Sequence, residues 1–317
     1  MALAWGLLAR ARSETWWWVA GLDLMPPQVL LPVPLLLAWA LRRQGWGWPA
    51  LNLAVAVAFS ATQVGLVLPR PSPAPEVHAV EGPSLRLLTL NADFAGTDPA
   101  RLATLVQGGG VDVLVLQEAL SRDRNAGYEA RVRAAFPGWF LARHDELITL
   151  SRWPLRDTRA VPFPRSPHAV LATTVETPAG PLMVVNTHLP TLGLLPSESD
   201  TRLGRSLAER VSRRLAVRRD FVEVVGGLLR DAPGPLVLAG DLNAPPRGEL
   251  HVRLRSLGLT DAFAAEGTGF GFTHHARLGH SRIDYVWTRG LTTAQASALP
   301  DVLSDHRVLT VSLLLIP

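Results

Sequence analysis

Cysteine and lysine are both missing from this 317-residue chain. Without cysteine there are no disulfides, no thiolate zinc sites and no cysteine nucleophile. That absence fits any redox compartment. Without lysine every side-chain cation besides histidine is arginine, a bias that codon usage explains more simply than a nucleic-acid partner does. Charge is also missing locally. Pro49 to Leu68 (PALNLAVAVAFSATQVGLVL) carries none and has roughly the 20 residues that a bilayer core requires. Leu24 to Leu41 is uncharged too, although Pro32 and Pro34 should kink or delay a helix there.

What is present divides the chain into two physically different parts. Seven of the ten tryptophans lie before residue 50: Trp5, Trp16, Trp17, Trp18, Trp39, Trp46 and Trp48. Between the two charge-free runs stands Arg42-Arg43-Gln44-Gly45-Trp46-Gly47-Trp48, a basic, tryptophan-rich turn suited to the cytoplasmic end of a helical hairpin. The pattern predicts a membrane anchor over 1–70 with about two transmembrane helices, 24–41 and 49–68. Leu3 to Leu22 is interrupted by Arg10, Arg12 and Glu14. It reads either as an interfacial amphipathic helix or as part of a third span. With Arg42-Arg43 inside, everything after Leu68 is expected outside, giving a multi-pass cell-membrane protein with an extracytoplasmic domain. Residues 71–84 are proline-rich and read as an extended linker.

From about Leu85 to the C-terminus, short apolar runs alternate with turn signals: LRLLTLN, DVLVLQE, ELITLSRWP, VLATTVET, PLMVVNTHL, PLVLAGDLN, RIDYVWTRG and RVLTVSLLL. These predict strands, several buried on both faces. Helices are expected near Pro99–Gln107, Tyr128–Phe136 and Leu203–Leu229. The mixture predicts two packed sheets flanked by helices. The first 70 residues hold five arginines and two acids, nearly all of the formal net charge of +4. The remaining domain is therefore close to neutral, without the global positive field that drives non-specific DNA binding. A local one exists where Arg202, Arg205, Arg210, Arg213, Arg214, Arg218 and Arg219 crowd one helical segment. It reads as a solvated face partnered by Glu209 and Asp220, or as a surface for anionic lipid or a polyanionic substrate.

The predicted strands end repeatedly in residues of catalytic type: Asn91, Glu118, His188 and Asp241. Converging strand ends make a rigid platform for a polar site. Hydrolysis of a phosphoester needs a cation on the phosphate oxygens, an aimed and deprotonated water, and help for the leaving oxygen. Carboxylates and amides suit Mg²⁺ as hard ligands.

Seven short motifs occur in order. They are Asn91 in LLTLNADFAG, Glu118 in DVLVLQEA, Ser151-Arg152-Trp153-Pro154, Asn186-Thr187-His188-Leu189, Gly240-Asp241-Leu242-Asn243, Arg282-Ile283-Asp284-Tyr285 and Ser304-Asp305-His306. Each alone is weak. Together they resemble the endonuclease/exonuclease/phosphatase superfamily, the DNase I-like proteins that include abasic-site endonucleases, inositol polyphosphate 5-phosphatases and neutral sphingomyelinases. The resemblance implies an α/β four-layer sandwich of two mainly antiparallel sheets. It implies that Glu118 is the principal Mg²⁺ ligand with Asn91 beside it, that Asp305 is a second candidate ligand, and that Mn²⁺ is an alternative ion. It implies that Asp241 orients or deprotonates the attacking water and that Asn243 holds a phosphate oxygen. His306 would act as base or stabilise the phosphorane, with Asp284 fixing its tautomer. His188 would face the leaving group, supported by Asn186. Arg152 reads as structural. His274, His275 and His280 could line the site, but their spacing supports no transition-metal centre. The substrate stays open between nucleic acid, lipid head group and small phosphoester, and no protein partner is evident. An inactive membrane scaffold is the reading from outside enzymology.

Overall fold

The computed structural model describes residues 2–23, 27–69, 83–120, 127–232, 234–276 and 279–315. Most of the proline-rich 71–84 segment lies outside the described residues. Among the described residues four α-helices precede the sheets: α1 (Ala2–Arg12), α2 (Trp17–Asp23), α3 (Pro32–Ala40) and α4 (Gly47–Phe59). Then follow β1 (Ser84–Asn91), α5 (Pro99–Gly108), β2 (Val113–Gln117), α6 (Gly127–Ala135), β3 (Phe140–His144), β4 (Leu147–Ser151), β5 (Leu155–Pro162), β6 (Ala169–Thr177) and β7 (Gly180–His188). The chain continues through α7 (Glu198–Arg202), α8 (Leu207–Asp231), β8 (Leu236–Asp241), α9 (Glu249–Ser256), β9 (Thr260–Asp261) and α10 (Ala262–Glu266). It ends with β10 (His274–Ala276), β11 (Gly279–Ser281), β12 (Asp284–Arg289), β13 (Thr292–Val302) and β14 (Arg307–Leu314).

Twelve of the strands form two six-stranded sheets, ordered β13-β14-β1-β2-β4-β3 and β5-β6-β7-β8-β12-β9, and β10 pairs with β11 in a separate antiparallel hairpin. Each six-stranded sheet has one parallel pair at its centre, β1 with β2 and β7 with β8, and is otherwise antiparallel. Alternation along β1 explains why its sequence is apolar throughout. Leu85 and Leu87 point between the sheets, where they meet Val184, Val237 and Val286. Leu88 and Leu90 point the other way, toward Leu102, Val106 and Val132 of α5 and α6. On the far side Val217, Phe221 and Val225 of α8 cover Leu236 and Leu238 of β8. The layers are thus helix, sheet, sheet, helix, as a strand buried on both faces demands. Helix α8 starts at Leu207 rather than Leu203 because Ser206 and Glu209 form a capping box, which closes off the first-turn N–H groups there.

The two expected spans are corrected by the structure. Among the described residues no helix is long and apolar enough to cross a membrane. Helix α3 has 9 residues, delayed by Pro32 and Pro34 at its start, and α4 has 13. At 1.5 Å per residue these reach about 14 and 20 Å, short of the roughly 30 Å of a bilayer core. Gly45, with φ 122°, breaks the chain between them, and Gly65 in the left-handed region ends the π-helical turn after α4.

This segment is also tied into the sandwich. Ala20 of α2 packs with Leu192, Val211 and Leu215. Two buried ion pairs fasten it, Glu14 to Arg218 at 3.1 Å and Asp23 to Arg247 at 2.7 Å. Arg247 also donates to the Gln63 carbonyl at 2.9 Å, and the Glu14 N–H donates to Glu249 at 3.0 Å. Burial pushes both Glu14 and Asp23 above the usual carboxylate range, although their arginine partners pull the other way. Such charges stay buried only because they are paired.

Candidate active site

Both parallel pairs run the same way, so their C-terminal ends share one end of the sandwich. Asn91 closes β1 beside Gln117, and His188 closes β7 directly opposite Asp241 at the end of β8. The antiparallel neighbour β12 begins at that same end, with Asp284 opposite Asp241. His306 immediately precedes β14, which runs antiparallel to β1. Topology alone therefore gathers six residues that lie up to 215 positions apart in sequence.

The local backbone is strained where the site needs it. Glu118 has φ +49°, and Asp93, Phe94 and Ala95 are three successive non-glycine residues with positive φ. Such conformations cost energy and persist only where surrounding structure holds them. Here the Phe94 N–H donates to Glu118 at 3.3 Å. Asn243 is also left-handed, at φ +47°, a region asparagine tolerates. Its N–H donates to Asp241 at 2.7 Å, folding the Asp-Leu-Asn turn back on the carboxylate. Gly240 is required by close approach. A Cβ there would sit 1.9 Å from the Thr187 carbonyl oxygen on the adjacent parallel strand.

The polar groups interlock. The Asn91 amide donates to Glu118 at 3.0 Å and to Asp241 at 3.1 Å. The Asn243 amide donates to the Leu189 carbonyl at 2.8 Å and lies 3.3 Å from His188 Nε2. Each histidine is backed by a carboxylate: His306 Nδ1 lies 2.7 Å from Asp284 and His188 Nδ1 lies 2.9 Å from Glu146. Both imidazoles turn Nε2 toward Asp241, at 3.8 and 3.9 Å. Asp284 pairs with His306 and not with Arg282, which is taken by Asp261.

The electrostatics follow from this packing. Burial pushes the Asp241 carboxyl up to about 6, reinforced by the Asp284 charge and opposed by both histidines. Burial would lower His306, but Asp284 outweighs it and the imidazole titrates at about 10. His188 is likewise held at about 9 against burial, by Glu146, Asp241 and Glu118. At neutral pH the site therefore holds two imidazolium ions around a carboxylate poised to gain or lose a proton.

The donors suit a hard divalent cation. Oxygen groups dominate, and Asp284 Oδ1 is buried with no hydrogen-bond partner. Ligand atoms of Asp241, Asp284 and His306 lie within 4.8 Å of one another, as do those of His274, Asp305 and His306. Asn91 and Glu118 stand together. Asp305 is exposed and gathers with the histidines, and among the described residues no hydrogen bond or ion pair joins it to Glu118.

Other residues singled out from the sequence fall outside this network. Asn186 does not hold His188. It cross-links the sheets, accepting from Gln117 at 2.8 Å and donating to the Leu116 and Ile148 carbonyls. Arg152 lies over Trp139, 5.6 Å from its ring centroid. His280 is exposed, its carbonyl accepting from Gln28 at 2.6 Å and its ring 5.6 Å from that of Phe272. The side chain of His275 lies outside the described residues. Sequence reasoning missed two supporting groups. Glu146 sits in a turn between β3 and β4 and looks like an ordinary turn acid. Arg218, hidden in the arginine-rich helix, donates to the Asn243 carbonyl as well as to Glu14.

A model of the endonuclease/exonuclease/phosphatase family matches residues 88–306. The chain belongs to that family. Its members are metal-dependent phosphoester hydrolases. UPF0294 protein YE0917 of Yersinia enterocolitica is 28% identical over 217 residues, covering 64% of this chain and 74% of that protein. Among solved structures, family proteins of similar fold include one from Bacteroides vulgatus, with TM-score 0.57 and 17% identity over 73% of this chain and 98% of that one. The 3′ phosphatase NExo from Neisseria, bound to a product DNA hairpin, has TM-score 0.54 and 20% identity over 72% and 98%. TDP2 of D. rerio, complexed with a single-strand DNA product, has TM-score 0.54 and 15% identity over 73% and 98%. At these identities the structural likeness shows the shared fold.

Proposed function

We propose that this protein hydrolyses phosphodiester or phosphomonoester bonds with Mg²⁺, Mn²⁺ being an alternative, and that it does so at a membrane surface. Glu118 and Asn91 would hold the ion, with Asp305 as a further ligand. When bound, it would neutralise phosphate oxygens and polarise the scissile bond. Asp241 takes the proton of the attacking water, for which a carboxyl at about 6 is well matched near neutral pH. His306, oriented by Asp284, faces the same oxygen and stabilises the charge that develops on phosphorus. Asn243 binds a phosphate oxygen through its amide. His188, cationic and fixed by Glu146, protonates the leaving oxygen.

The observation that carries this reading is the convergence of Asn91, Glu118, Asp241 and Asn243 with two carboxylate-backed histidines at one end of the sandwich. The test is turnover of bis-(p-nitrophenyl) phosphate by the full-length protein with Mg²⁺ or Mn²⁺. Activity undiminished by EDTA would sink the metal mechanism. An inert protein across a panel of plasmid, single-stranded DNA, RNA, sphingomyelin, phosphoinositides and nucleotides would favour the scaffold reading.

The membrane part rests on the α3–α4 hairpin. The residues its helices bury are small or few, Ala38, Ala56 and Phe59, while Leu35, Leu36, Leu37, Trp39, Leu51, Leu53, Val55 and Val57 are exposed. Water-soluble hairpins bury leucine; small residues between helices with leucine outside is the packing of lipid. A hairpin this short fits one leaflet. We place the hairpin in the outer leaflet of the cell membrane, with the catalytic sandwich outside; a hairpin that does not cross leaves both its ends on one side, so Arg42-Arg43 at its tip does not set that side, and a reporter fused after Pro317 tests the placement. A second reading is a nuclease acting on DNA or RNA, favoured by the two DNA-bound structures of the same fold. The substrate panel separates the two.

A further inference from the structure

A cavity of about 170 Å³ opens beside α8, lined by Arg165, Arg205, Arg210, Arg213, Arg214 and a single acid, Asp200. The acid is already spent. Its carboxylate accepts from the Ser197 hydroxyl at 2.7 Å and pairs with Arg205 at 3.1 Å. Arg165 leans toward Asp220 at 3.4 Å. Arg210 is fixed by backbone alone, donating to the carbonyls of Gly193, Leu194 and Arg205. Among the described residues no carboxylate lies within ion-pair distance of Arg210, Arg213 or Arg214. Three guanidinium charges therefore face one small open space without a counter-ion. The acids of the helix do not neutralise these arginines, because Glu209 is engaged by the Ser206 cap and Asp220 faces Arg165.

Leucines flank the cavity residues: Leu203 and Leu207 lie either side of Arg205 in the chain, and the Leu194 carbonyl accepts from Arg210. Leu194, Leu195, Leu203 and Leu207 are exposed, Leu195 at 86%. Leu194 lies against Gly21 of α2, the helix that presents Trp17 and Trp18 to solvent. The N-terminal segment adds charge of only one sign. Arg10, Arg12, Arg42 and Arg43 are exposed, whereas its two acids, Glu14 and Asp23, are buried in ion pairs. Uncompensated arginine, flanking leucine and interfacial tryptophan together match the chemistry of a phospholipid surface.

We propose that this cavity binds the phosphate of an anionic phospholipid head group, while the flanking leucines and α2 tryptophans lie among the lipid. The proposal rests on the membrane reading above and names its partner. It also links surface to site. The turn that carries Arg165 leads into His168, whose ring lies 6.4 Å from that of His188. Helix α8 carries the cavity's Arg210, Arg213 and Arg214 and also Arg218, which donates to the Asn243 carbonyl. A bilayer seated on this face holds the catalytic end at a fixed height above the lipid phosphates. A nucleic-acid backbone could satisfy the same charges, but the exposed leucines would gain nothing from it.

The test is vesicle co-sedimentation of the full-length protein, using phosphatidylcholine alone and phosphatidylcholine with phosphatidylglycerol. Wild type should bind both, and the anionic vesicles more tightly. Arg213→Ala/Arg214→Ala, at partly or fully exposed positions outside the catalytic machinery, should lose about 30-fold in affinity for the anionic vesicles. It should keep its binding to phosphatidylcholine and its turnover of bis-(p-nitrophenyl) phosphate. An unchanged anionic preference in that variant would overturn the cavity assignment. So would an oligonucleotide that displaces anionic vesicles from the wild type and binds in an Arg213- and Arg214-dependent way. Leu36→Ser/Leu53→Ser should weaken binding to both vesicles. If it does not, and the arginine dependence remains, the hairpin reading fails while the head-group site stands.

Discussion

Asp241→Asn separates catalysis from stability, and the two effects can be weighed from the geometry. The wild-type carboxylate accepts from the Asn243 N–H through Oδ1 and from the Asn91 and Asn243 amides through Oδ2. Its folded pKa is pushed up to about 6 from 3.8, by burial first and then by Asp284. A carboxylate with a raised pKa stabilises the fold when protonated. That contribution is present below the unfolded value and is lost as pH rises through the folded one. At pH 7.5 the ionised group therefore costs about 3 kcal/mol, two units at about 1.4 kcal/mol each. Asparagine removes that cost. It also replaces one acceptor oxygen by an NH₂ donor. Turned so that its oxygen faces the two amides, it loses one hydrogen bond, worth about 1–3 kcal/mol when the acceptor was charged. The net change in stability is expected within about 2 kcal/mol of zero. Activity should fall 10²- to 10⁴-fold, the usual contribution of a general base, or about 3–5 kcal/mol of barrier. Stability is measured by urea unfolding in EDTA, and turnover with bis-(p-nitrophenyl) phosphate and Mn²⁺. A folded variant within tenfold of the wild-type rate would refute the role of Asp241. Loss of the fold together with activity would refute the energetic reasoning.

Three further outcomes are expected. Gly240→Ala should destabilise by at least about 2 kcal/mol, because its Cβ meets the Thr187 carbonyl and its φ of +141° suits only glycine; an unchanged thermal midpoint would contradict the close approach. His251 is buried beneath Tyr285 and Trp287, and burial lowers its pKa to about 3, with Asp261 opposing and Arg282 and Arg255 assisting. A histidine with a depressed pKa stabilises the fold above its unfolded value near 6.5 and loses that contribution as pH falls toward 3. About 2 kcal/mol should be gone by pH 5, and His251→Leu should remove that part of the pH slope in denaturant titrations. Arg247→Met strands the Asp23 carboxylate and should cost about 3–5 kcal/mol, whereas Asp23→Leu/Arg247→Met should recover most of it; strictly additive losses would show that the pair is not coupled.

The eight strands anticipated from apolar runs are β1, β2, β4, β6, β7, β8, β12 and β14, and all lie inside the two sheets. The strands not anticipated include all four edges of the six-stranded sheets, β3, β5, β9 and β13. An edge strand buries less, so its residues need not be apolar: β5 reads LRDTRAVP and is largely exposed. Period and composition reveal strands only where two faces are covered. The short spans were misjudged for a related reason. Absence of charge measures how apolar a segment is, and it does not say where Gly45 or Gly65 will end a helix.

For the site, the sequence by itself determined which groups are available, since Asn91, Glu118, His188, Asp241, Asn243, Asp284 and His306 stand at predicted strand ends or in the short turns beside them. Only the tertiary structure decided how they pair. It set Asp284 against His306, gave His188 to Glu146, turned Asn186 into a link between sheets, and tied Arg218 to both Glu14 and Asn243. Those choices depend on contacts between residues up to 204 positions apart, which no local pattern encodes. A strand's end is fixed by its own residues and their neighbours in the chain, whereas the partner of a buried charge is fixed by which elements the fold brings within hydrogen-bonding reach.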